Sequence, residues 1–406
     1  MRLIVLDPGH FHATLLQKEM YPELASRASV YTPLGPELLD YLNRISLFNS
    51  RAANPTHWDL DIHCTRHSLD ELLRDRAGDI VVFTGRNRGK IDRMLPVISA
   101  GLHVLADKPW IISSDEMPKL EQALDLAESR GVVAYDIMTE RYEVTSQLQR
   151  ELVNTSGIFG EPLNVVARSV HHVMKVVAGV PLRRRPWFFD IADYGEGLAD
   201  VGTHVVDLVQ WTLLPDQVLD YRQDIEVLEG RRWPLTLTRE QLQLVTGESH
   251  WPENLDYYCN NAVHYTLRGI HVKLEILWKW EAPAGTGDIY EAAFHGTKST
   301  VEIRDAKPEV YVIPQAGQSE SVFAALHTKV EQLQSRWPGL AIEQAGTEAR
   351  LIIPAKFRVG HEDHFAQVAR RFLKYVKGPA SLPAWERAYM LAKYYVSTKG
   401  LEIAQS

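Results

Sequence analysis

The sequence predicts an α/β protein built from two parts with different kinds of sheet. Over residues 1–138, short apolar runs alternate with segments of helical periodicity, which is typical of a doubly wound parallel sheet. Further along, residues 272–280 alternate apolar and polar side chains with a period of two, as in an antiparallel strand with one wetted face. The chain of 406 residues also exceeds the length at which single cores stop growing. We therefore predict one domain at 1–138 and a second at 139–406.

The first domain has the strand and helix order of a Rossmann-type fold. Each apolar run is short enough to be a buried strand, and the segments between the runs have helical spacing. In such a sheet, ligands bind beyond the carboxyl ends of the strands. The predicted strands are 3–6, 29–31, 60–64, 79–83, 103–106 and 132–137. The predicted helices are 13–21, 37–58, 87–100 and 114–130.

The second domain is predicted to be α+β, with a mainly antiparallel, open sheet. A helix that ends near residue 154 leads into it, and Gly157 and Gly160 close this helix. Residues 315–348 are polar and predicted to be helical, and residues 361–404 are predicted to form two amphipathic helices. The predicted strands are 163–173, 256–267, 271–280, 290–295, 299–303 and 310–313.

The composition excludes several classes of protein. A net charge of −8 and a pI near 6.1 argue against nucleic-acid and anionic-membrane partners, because both need a basic face. No apolar run approaches the ~20 residues that span a bilayer. Cys64 and Cys259 lie far apart, which excludes a disulfide scaffold and a cysteine-based zinc site. Because the N-terminus enters a strand pattern without a signal region, we expect a cytoplasmic protein.

The turn after the first strand is a candidate cofactor site. A dinucleotide-binding turn reads G-x-G-x-x-G, whereas residues 7–12 read Asp-Pro-Gly-His-Phe-His and keep only the middle glycine, Gly9. Asp7 suits a diphosphate badly unless its carboxylate points away, while His10 and His12 can donate hydrogen bonds to one. The alternative is a tight Pro-Gly turn in which the histidines cap helix ends.

Two further strand ends carry candidate ligand-binding residues. Thr84, Gly85 and Asn87 end the fourth strand, and therefore lie at the edge of the sheet where ligands bind. After the fifth strand, Lys108 stands between Asp107 and Pro109, and the proline favours an extended conformation for it. The helix start at Arg86, Arg88, Lys90 and Arg93 is interpreted as solvated surface.

The segment from residue 194 to residue 211 combines a flexible loop with a polar helix face. Gly195 and Gly197 give the loop its freedom, and the helical pattern that follows places Asp200, His204, Asp207 and Trp211 on one stripe. A carboxylate and an imidazole one turn apart can transfer a proton, although a solvated helix face has the same spacing. Gly202, inside the helix, indicates that another group packs very close to this turn.

These residues carry a resemblance to a known family. Gly195-Glu-Gly-x-x-Asp200-x-Gly-x-His204-x-x-Asp207 resembles the G-G-G-x-x-x-D-x-G-x-H-x-x-D signature of the Gfo/Idh/MocA oxidoreductases, and Asp107-Lys108-Pro109 resembles their E-K-P motif. The resemblance implies NAD(P)-dependent hydride transfer with a hydroxyl of a sugar, cyclitol or glycoside. It also implies a homodimer or homotetramer, and tail helices that pack back on the first domain. Since residues 32–36 contain neither an acid for a ribose hydroxyl nor an arginine for a 2′-phosphate, NAD is favoured and NADP stays open.

The resemblance assigns roles to particular residues. His204 would take the hydroxyl proton, Lys108 and Asp200 would position the alcohol, and Asp207 would orient His204 or contact substrate. The cofactor would contact Gly9, His10, Phe11, His12, Thr84, Gly85, Asn87, Asp107, Lys108 and Pro109. Further substrate candidates are His172 and Trp187, the latter as a flat platform for a sugar ring.

No metal site is predicted, and two alternative functions stay open. The adjacent histidines 171 and 172 point to opposite faces of a strand, and His361-Glu-Asp-His364 resembles a helix start of the family rather than a metal cluster. One alternative is redox-neutral chemistry, in which a tightly held cofactor transiently oxidises a sugar so that a glycosidic bond can be eliminated. The other is a sugar or dinucleotide sensor without catalysis, which the altered glycine turn favours and the intact Lys108, Asp200 and His204 disfavour.

Overall fold

The computed structural model describes residues 1–177, 180–283, 287–304, 307–379 and 382–406, which form two compact units. The first unit comprises Met1–Thr139 and Gly360–Arg387, and the second comprises Glu140–Val359 and Ala388–Ser406. The tail is therefore divided, whereas the sequence placed the whole of 361–404 on the first domain. The physical reason lies in the last helix, where the Tyr389 hydroxyl donates to the carbonyl of Leu214 and the Tyr389 carbonyl accepts from Gln210 at 2.8 Å.

The first unit contains the parallel, Rossmann-type sheet that the sequence predicts. Its strands are β1 (Leu3–Leu6), β2 (Arg27–Thr32), β3 (Asp59–Cys64), β4 (Ile80–Phe83), β5 (His103–Ala106) and β6 (Ala134–Asp136). They run in the order β3-β2-β1-β4-β5-β6, and every neighbouring pair is parallel. All residues of β1 and β4 are buried, because helices cover both faces of such a sheet.

Helices connect the successive strands of this sheet, and one more comes from the tail. They are α1 (His12–Leu16), α2 (Pro36–Ser50), α3 (Ser68–Asp75), α4 (Lys90–Ser99) and α5 (Met117–Arg130), with α12 (His361–Lys377) from the tail. The ends of α5 follow simple rules, since Pro118 lies in its first turn and Gly131 ends it in a left-handed conformation. The first helix is shorter than predicted: it ends at Leu16, whereas the sequence predicted a helix that continues to residue 21.

The second unit contains the mainly antiparallel sheet. Its strands are β7 (Pro162–Met174), β10 (Ile225–Thr238), β11 (Asn254–Leu267), β12 (Ile270–Glu281), β13 (Ile289–Gly296), β14 (Ser299–Arg304), β15 (Glu309–Pro314), β16 (Ala341–Ala345) and β17 (Glu348–Ile352). They run in the order β10-β11-β12-β7-β13-β14-β15-β17-β16, with β12 and β7 as the parallel pair among the described strands. A separate pair consists of β8 (Val176–Val177) and β9 (Val180–Pro181). The predicted class of α/β fold is thus confirmed.

The second unit also contains helices, and several of them pack on this sheet. They are α6 (Val144–Val153), α7 (Ile191–Tyr194), α8 (Gly202–Leu213), α9 (Tyr221–Asp224), α10 (Arg239–Thr246), α11 (Ser319–Leu333) and α13 (Ala384–Gln405). Of these, α8 packs on β7 and β12, while α6 packs on β14 and β15. One face of the sheet carries exposed side chains such as Val166 and the ion pair of Arg168 with Glu291.

Two parts of this sheet correct the sequence prediction. The strand β10 was missed because bulges at Val227/Glu229 and Trp233/Pro234 interrupt its alternation. The hairpin of β16 and β17 lies in a segment predicted to be helical. Its Ala, Glu and Gln residues favour helix, but pairing with β15 overrides that preference, and Gly346 forms the turn with a φ of 61°.

None of the described helices is both long and apolar enough to cross a membrane.

Candidate active site

The first unit carries a candidate cofactor site at the carboxyl ends of β1, β4 and β5. The strand order reverses between β1 and β4, and such a switch point is where open α/β sheets bind ligands. The backbone N–H of His10 donates to the carbonyl of Thr84 at 2.7 Å, which ties the first turn to the fourth strand. A Cβ on Gly85 would lie 2.9 Å from the carbonyl oxygen of Asp7, so a glycine is needed there. The structure therefore brings the predicted residues of the first and fourth strand ends together.

The carboxylate of Asp7 is neutralised by other residues of the first unit. Asp7 has a φ of 43°, and its Oδ2 accepts from the hydroxyl of Ser68 at 3.1 Å and pairs with Arg93. Arg93 was interpreted as solvated surface, so this pairing is a correction. Because the negative charge is already compensated, Asp7 does not oppose a diphosphate at this turn.

Asp107 joins the first turn to the fifth strand. Its Oδ2 lies 3.1 Å from Nδ1 of His12 and 3.5 Å from Nδ1 of His10, while its Oδ1 accepts from Lys90 at 2.9 Å. Lys90 also donates to the side-chain oxygen of Asn87 at 2.8 Å. Lys90 was likewise predicted to be solvated, but its side chain is only 2% exposed. An ammonium that is buried needs such partners, and here they come from the predicted cofactor residues.

The charge states of this cluster follow from burial and from the lysine. Burial opposes ionisation of Asp107, but Lys90 and the two histidines hold its pKa well below the ordinary value. Burial lowers the pKa of His12 well below its ordinary value, and the neighbouring His10 lowers it further. At neutral pH the cluster therefore contains an ionised carboxylate and a neutral His12.

These residues fit a bound dinucleotide. Thr84 Oγ1, His10 Nδ1 and Asp7 Oδ1 are buried and have no hydrogen-bond partner within the described ranges. Such groups are rare in proteins and indicate that a ligand or water completes their bonding. The ring of Phe11 lies beside that of His10, with centroids 4.4 Å apart. Next to Asp107, Lys108 is half-buried and Pro109 is buried.

The second unit carries the glycine-rich turn between α7 and α8. Gly195 has a φ of 93°, a conformation that favours glycine. A Cβ on Gly197 would collide with the carbonyl oxygen of Cys259, because the turn lies directly on β11. On Gly202, a Cβ would lie 2.8 Å from Cδ1 of Leu198, which explains the close packing predicted at this position.

Glu196, between the two glycines, holds this turn in place. Its side chain is 3% exposed, and its Oε1 lies 2.7 Å from Nη2 of Arg232 and accepts from Gln405 at 3.1 Å. Its Oε2 accepts from Asn261 at 3.0 Å, and Asn261 in turn accepts from the N–H of Leu198 at 2.8 Å. Sequence reasoning missed this role, although a charged residue between two glycines was a signal for it.

Asp200 and His204 lie on either side of the start of α8. The helix α8 begins at Gly202, so Asp200 precedes it, and its N–H donates to the carbonyl of Glu196 at 3.0 Å. The Thr203 hydroxyl donates to the carbonyl of Asp200 at 2.6 Å. Asp200 is buried and His204 is half-buried. The firmly bonded turn thus fixes the backbone of both candidate catalytic residues.

Asp207 is a structural residue rather than an orienting group for His204. Its carboxylate accepts two hydrogen bonds of 2.6 Å from Arg141, and Lys393 lies 3.6 Å away. Burial opposes its ionisation, but Arg141 and Lys393 hold the pKa of Asp207 below its ordinary value. The predicted role in substrate contact or in orienting His204 is corrected accordingly, because both carboxylate oxygens are bonded to Arg141.

His172 also differs from its predicted role. Its side chain is 1% exposed, and its Nδ1 lies 3.4 Å from Oδ1 of Asp288. The neighbouring His171 contacts Oδ2 of the same carboxylate at 3.1 Å and, through Nε2, the hydroxyl of Ser169 at 2.7 Å. The side chains of His171 and His172 leave β7 on opposite faces. Both contact the same carboxylate because Asp288 lies just before the start of β13, the strand that pairs with β7, where Ile289 is opposite Val170. His171, not His172, keeps an exposed part of its ring.

Trp187 does not offer the open ring face that a sugar platform needs. It is only 7% exposed, and its ring packs near that of Tyr194, with centroids 5.8 Å apart.

The guanidinium of Arg184 lies over the rings of Phe188 and Trp278, at 4.2 and 5.3 Å. Burial lowers the pKa of Arg184, while Tyr194, Tyr257, Asp288 and Asp200 raise it. The sequence prediction did not identify this half-buried arginine.

The structure therefore gathers the predicted residues into two groups, one in each unit. The first contains the cofactor candidates together with Lys108, and the second contains Asp200 and His204. The functional grouping of Lys108 with Asp200 and His204 stays a prediction.

Comparison with known proteins relates most of the chain to oxidoreductases. The model of the family described as "Putative oxidoreductase C terminal domain" matches residues 148–405. A solved structure of a putative oxidoreductase from Parabacteroides merdae ATCC 43184 is 38% identical, with a TM-score of 0.96, and the match covers 100% of this chain and 97% of that one.

Two curated relatives have named activities. The scyllo-inositol 2-dehydrogenase (NADP+) of Bacillus subtilis strain 168 is 23% identical over 254 residues, which are 60% of this chain and 67% of that protein. The D-glucoside 3-dehydrogenase of Escherichia coli strain K12 is 30% identical over 139 residues, which are 33% of this chain and 36% of that protein.

Proposed function

Because the chain belongs to this family of oxidoreductases, we propose that it transfers a hydride between a nicotinamide dinucleotide and a hydroxyl-bearing carbon of a sugar, cyclitol or glycoside. The membership confirms the resemblance to the Gfo/Idh/MocA oxidoreductases. Both curated relatives are dehydrogenases, one named for an inositol and one for a glucoside, which supports this substrate class.

One observation carries the proposal: the clustering of cofactor candidates at the switch point of the parallel sheet. Three strand ends contribute to it, and they are joined by the bond from His10 to Thr84 and by the contacts of Asp107. The residues that would hold the dinucleotide are Gly9, His10, Phe11, His12, Thr84, Gly85, Asn87, Asp107, Lys108 and Pro109. A nicotinamide bound there supplies the acceptor or donor of the hydride.

The chain's own residues would handle the proton. When a carbinol carbon loses a hydride, its hydroxyl loses a proton, and the imidazole of His204 takes that proton as a general base. Lys108 and Asp200 would hold the hydroxyl by hydrogen bonds. The bonds of Glu196 to Arg232, Asn261 and Gln405 support this role by fixing the turn before His204. In the reverse direction, His204 returns the proton to the carbonyl oxygen.

Replacing His204 by Ala tests this assignment. General base catalysis contributes about 10²–10⁴-fold to the rate, so turnover of H204A falls by at least about 100-fold while dinucleotide binding is unchanged. The exposed His250, also in the second unit, supplies a control, since H250A keeps full turnover. Unchanged turnover in H204A would overturn the role of His204.

We propose NAD rather than NADP as the preferred cofactor. The support is the loop after β2, where residues 32–36 contain no basic residue to bind a 2′-phosphate. The name of one relative includes NADP+, so a comparison of kcat/KM with both cofactors is needed. A higher value with NADPH would contradict this preference.

The substrate class is tested with a panel of sugars, cyclitols and glycosides. We expect NADH to accumulate when the right alcohol is added with NAD+. Turnover of a glycoside without net NADH would instead establish the redox-neutral reaction. If no dinucleotide binds, the alternative function of a sugar sensor without catalysis is supported instead.

We also propose a homodimer or homotetramer. The support is the uncovered sheet face, which exposes Leu163 and Val166 beside the charged Arg168 and Glu291. Light scattering on the purified protein measures the mass, and a monomer at working concentration would contradict the proposal.

A further inference from the structure

We propose that His10, His12 and Asp107 form a binding site for a divalent transition-metal ion such as Zn²⁺. Each residue offers one ligand atom, and these three atoms all lie within 4.8 Å of one another. No other such group of three His, Cys, Asp or Glu side chains is found within the described ranges. The site goes beyond the proposed function, because hydride transfer with a nicotinamide requires no metal ion.

The spacing of the ligand atoms suits a single ion. Oδ2 of Asp107 lies 3.1 Å from Nδ1 of His12 and 3.5 Å from Nδ1 of His10. Metal–ligand bonds of about 2.0–2.2 Å, at angles between the square and the trigonal value, put neighbouring ligands roughly 3.0–3.6 Å apart. Both pairs that include the carboxylate oxygen therefore already have the spacing of ligands on one ion, and the third pair, between the two histidines, lies within 4.8 Å.

The chemistry of the donors selects the class of metal. Two imidazole nitrogens with one carboxylate oxygen suit zinc and other first-row transition metals, whereas Ca²⁺ and Mg²⁺ prefer oxygen ligands alone. Three protein ligands leave at least one coordination position open. An oxygen atom of an anionic ligand or a water can fill it.

The surroundings of the cluster support such a site. Lys90 donates to Oδ1 of Asp107, which leaves Oδ2 to the histidines and orients the carboxylate, as partners of metal ligands do. Nδ1 of His10 is buried and makes no hydrogen bond within the described part of the chain. The side chains of His10, His12 and Asp107 are 21%, 12% and 6% exposed, so the ligands are partly shielded from water.

The second unit provides a matched control pair of histidines. Nε2 of His264 lies 3.0 Å from Nδ1 of His271, but both side chains lie on the exposed face of the sheet and have no carboxylate in their group of ligand atoms. A surface pair of this kind binds zinc weakly and without a third ligand. Variants of the two histidine clusters therefore distinguish the proposed site from adventitious binding.

The test is a calorimetric titration of the full-length, chelator-treated protein with ZnCl₂, in the absence of dinucleotide and substrate. We expect one Zn²⁺ per chain, binding at least about tenfold more weakly in His12→Ala and in His10→Ala and unchanged in His271→Ala. Titration with CoCl₂ adds a spectroscopic readout, because a Co²⁺ ion with nitrogen ligands absorbs visible light and this absorption is lost in His12→Ala.

Absence of binding to the native chain, binding that is unchanged in both His10→Ala and His12→Ala, or binding that is lost in His271→Ala would overturn the site. Circular dichroism establishes that each variant is folded. Because the titration requires neither cofactor nor turnover, its outcome is independent of the hydride-transfer proposal.

Discussion

The buried ion pair of Asp207 and Arg141 makes a quantitative prediction about stability. Asp207 is 1% exposed and Arg141 is 8% exposed, and two hydrogen bonds of 2.6 Å join them. Asp207→Asn removes the negative charge and leaves Arg141 and Lys393 as buried cations beside a neutral amide. Breaking a buried pair in this way costs about 3–5 kcal/mol in the free energy of unfolding. We therefore expect a loss in this range for D207N.

Urea denaturation followed by tryptophan fluorescence measures this loss. The control is Asp216→Asn, because Asp216 is 65% exposed and pairs with Arg150 at the surface, at 3.1 Å. Such an exposed pair contributes less than about 1 kcal/mol. In the double variant R141Q/D207N both charges of the pair are gone, so its cost is smaller than the sum of the single variants. If D207N raises KM and is as stable as D216N, Asp207 contacts substrate and the structural interpretation is refuted.

Three further predictions concern the glycine-rich turn and the first unit. E196Q keeps the shape of the side chain but removes its negative charge beside Arg232. Because this charge helps to hold the turn before His204, we expect kcat to fall while the affinity for the dinucleotide is unchanged. An unaltered kcat would show that the charge does not fix the turn. G197A destabilises the protein by more than about 1 kcal/mol in urea denaturation, because its Cβ collides with the carbonyl of Cys259, and equal stability would contradict the close approach. His103 has a pKa below its ordinary value because of burial, and its Nδ1 accepts from the N–H of Val133 at 2.9 Å. The contribution of His103 to the free energy of unfolding is therefore complete above pH ~6.5, where the imidazole is neutral in both the folded and the unfolded chain. It decreases as the pH falls toward the folded-state pKa, by at most about 1.4 kcal/mol per pH unit. In H103N, which keeps a hydrogen-bond acceptor but does not titrate, denaturation at different pH values should show no such decrease from this position.

Local patterns in the sequence predicted the parts of the fold that depend on short-range rules. The runs Leu3–Leu6 and His103–Ala106 were placed with their observed bounds, because strands buried on both faces have continuous apolar sequences. The strand β10 and the hairpin of β16 and β17 were missed, because bulges and pairing with a distant strand decide their structure. Periodicity within a segment does not contain that information.

The candidate site shows the same division. The positions of Gly197 and Gly202 indicated a crowded turn before the structure showed what packs there. By contrast, the partners of Asp207 and Lys90 lie far away in sequence or on other strands, so motif spacing assigned Asp207 to the site and Lys90 to the surface. Whether a charged side chain is buried depends on such long-range partners.

The most direct test of the proposed function is an equilibrium titration of the purified chain with NADH and NADPH, followed by the fluorescence of the bound nicotinamide. We predict saturable binding of one dinucleotide per chain, tighter for NADH than for NADPH. Failure of both dinucleotides to bind would contradict the assignment of the β1, β4 and β5 strand ends as a cofactor site.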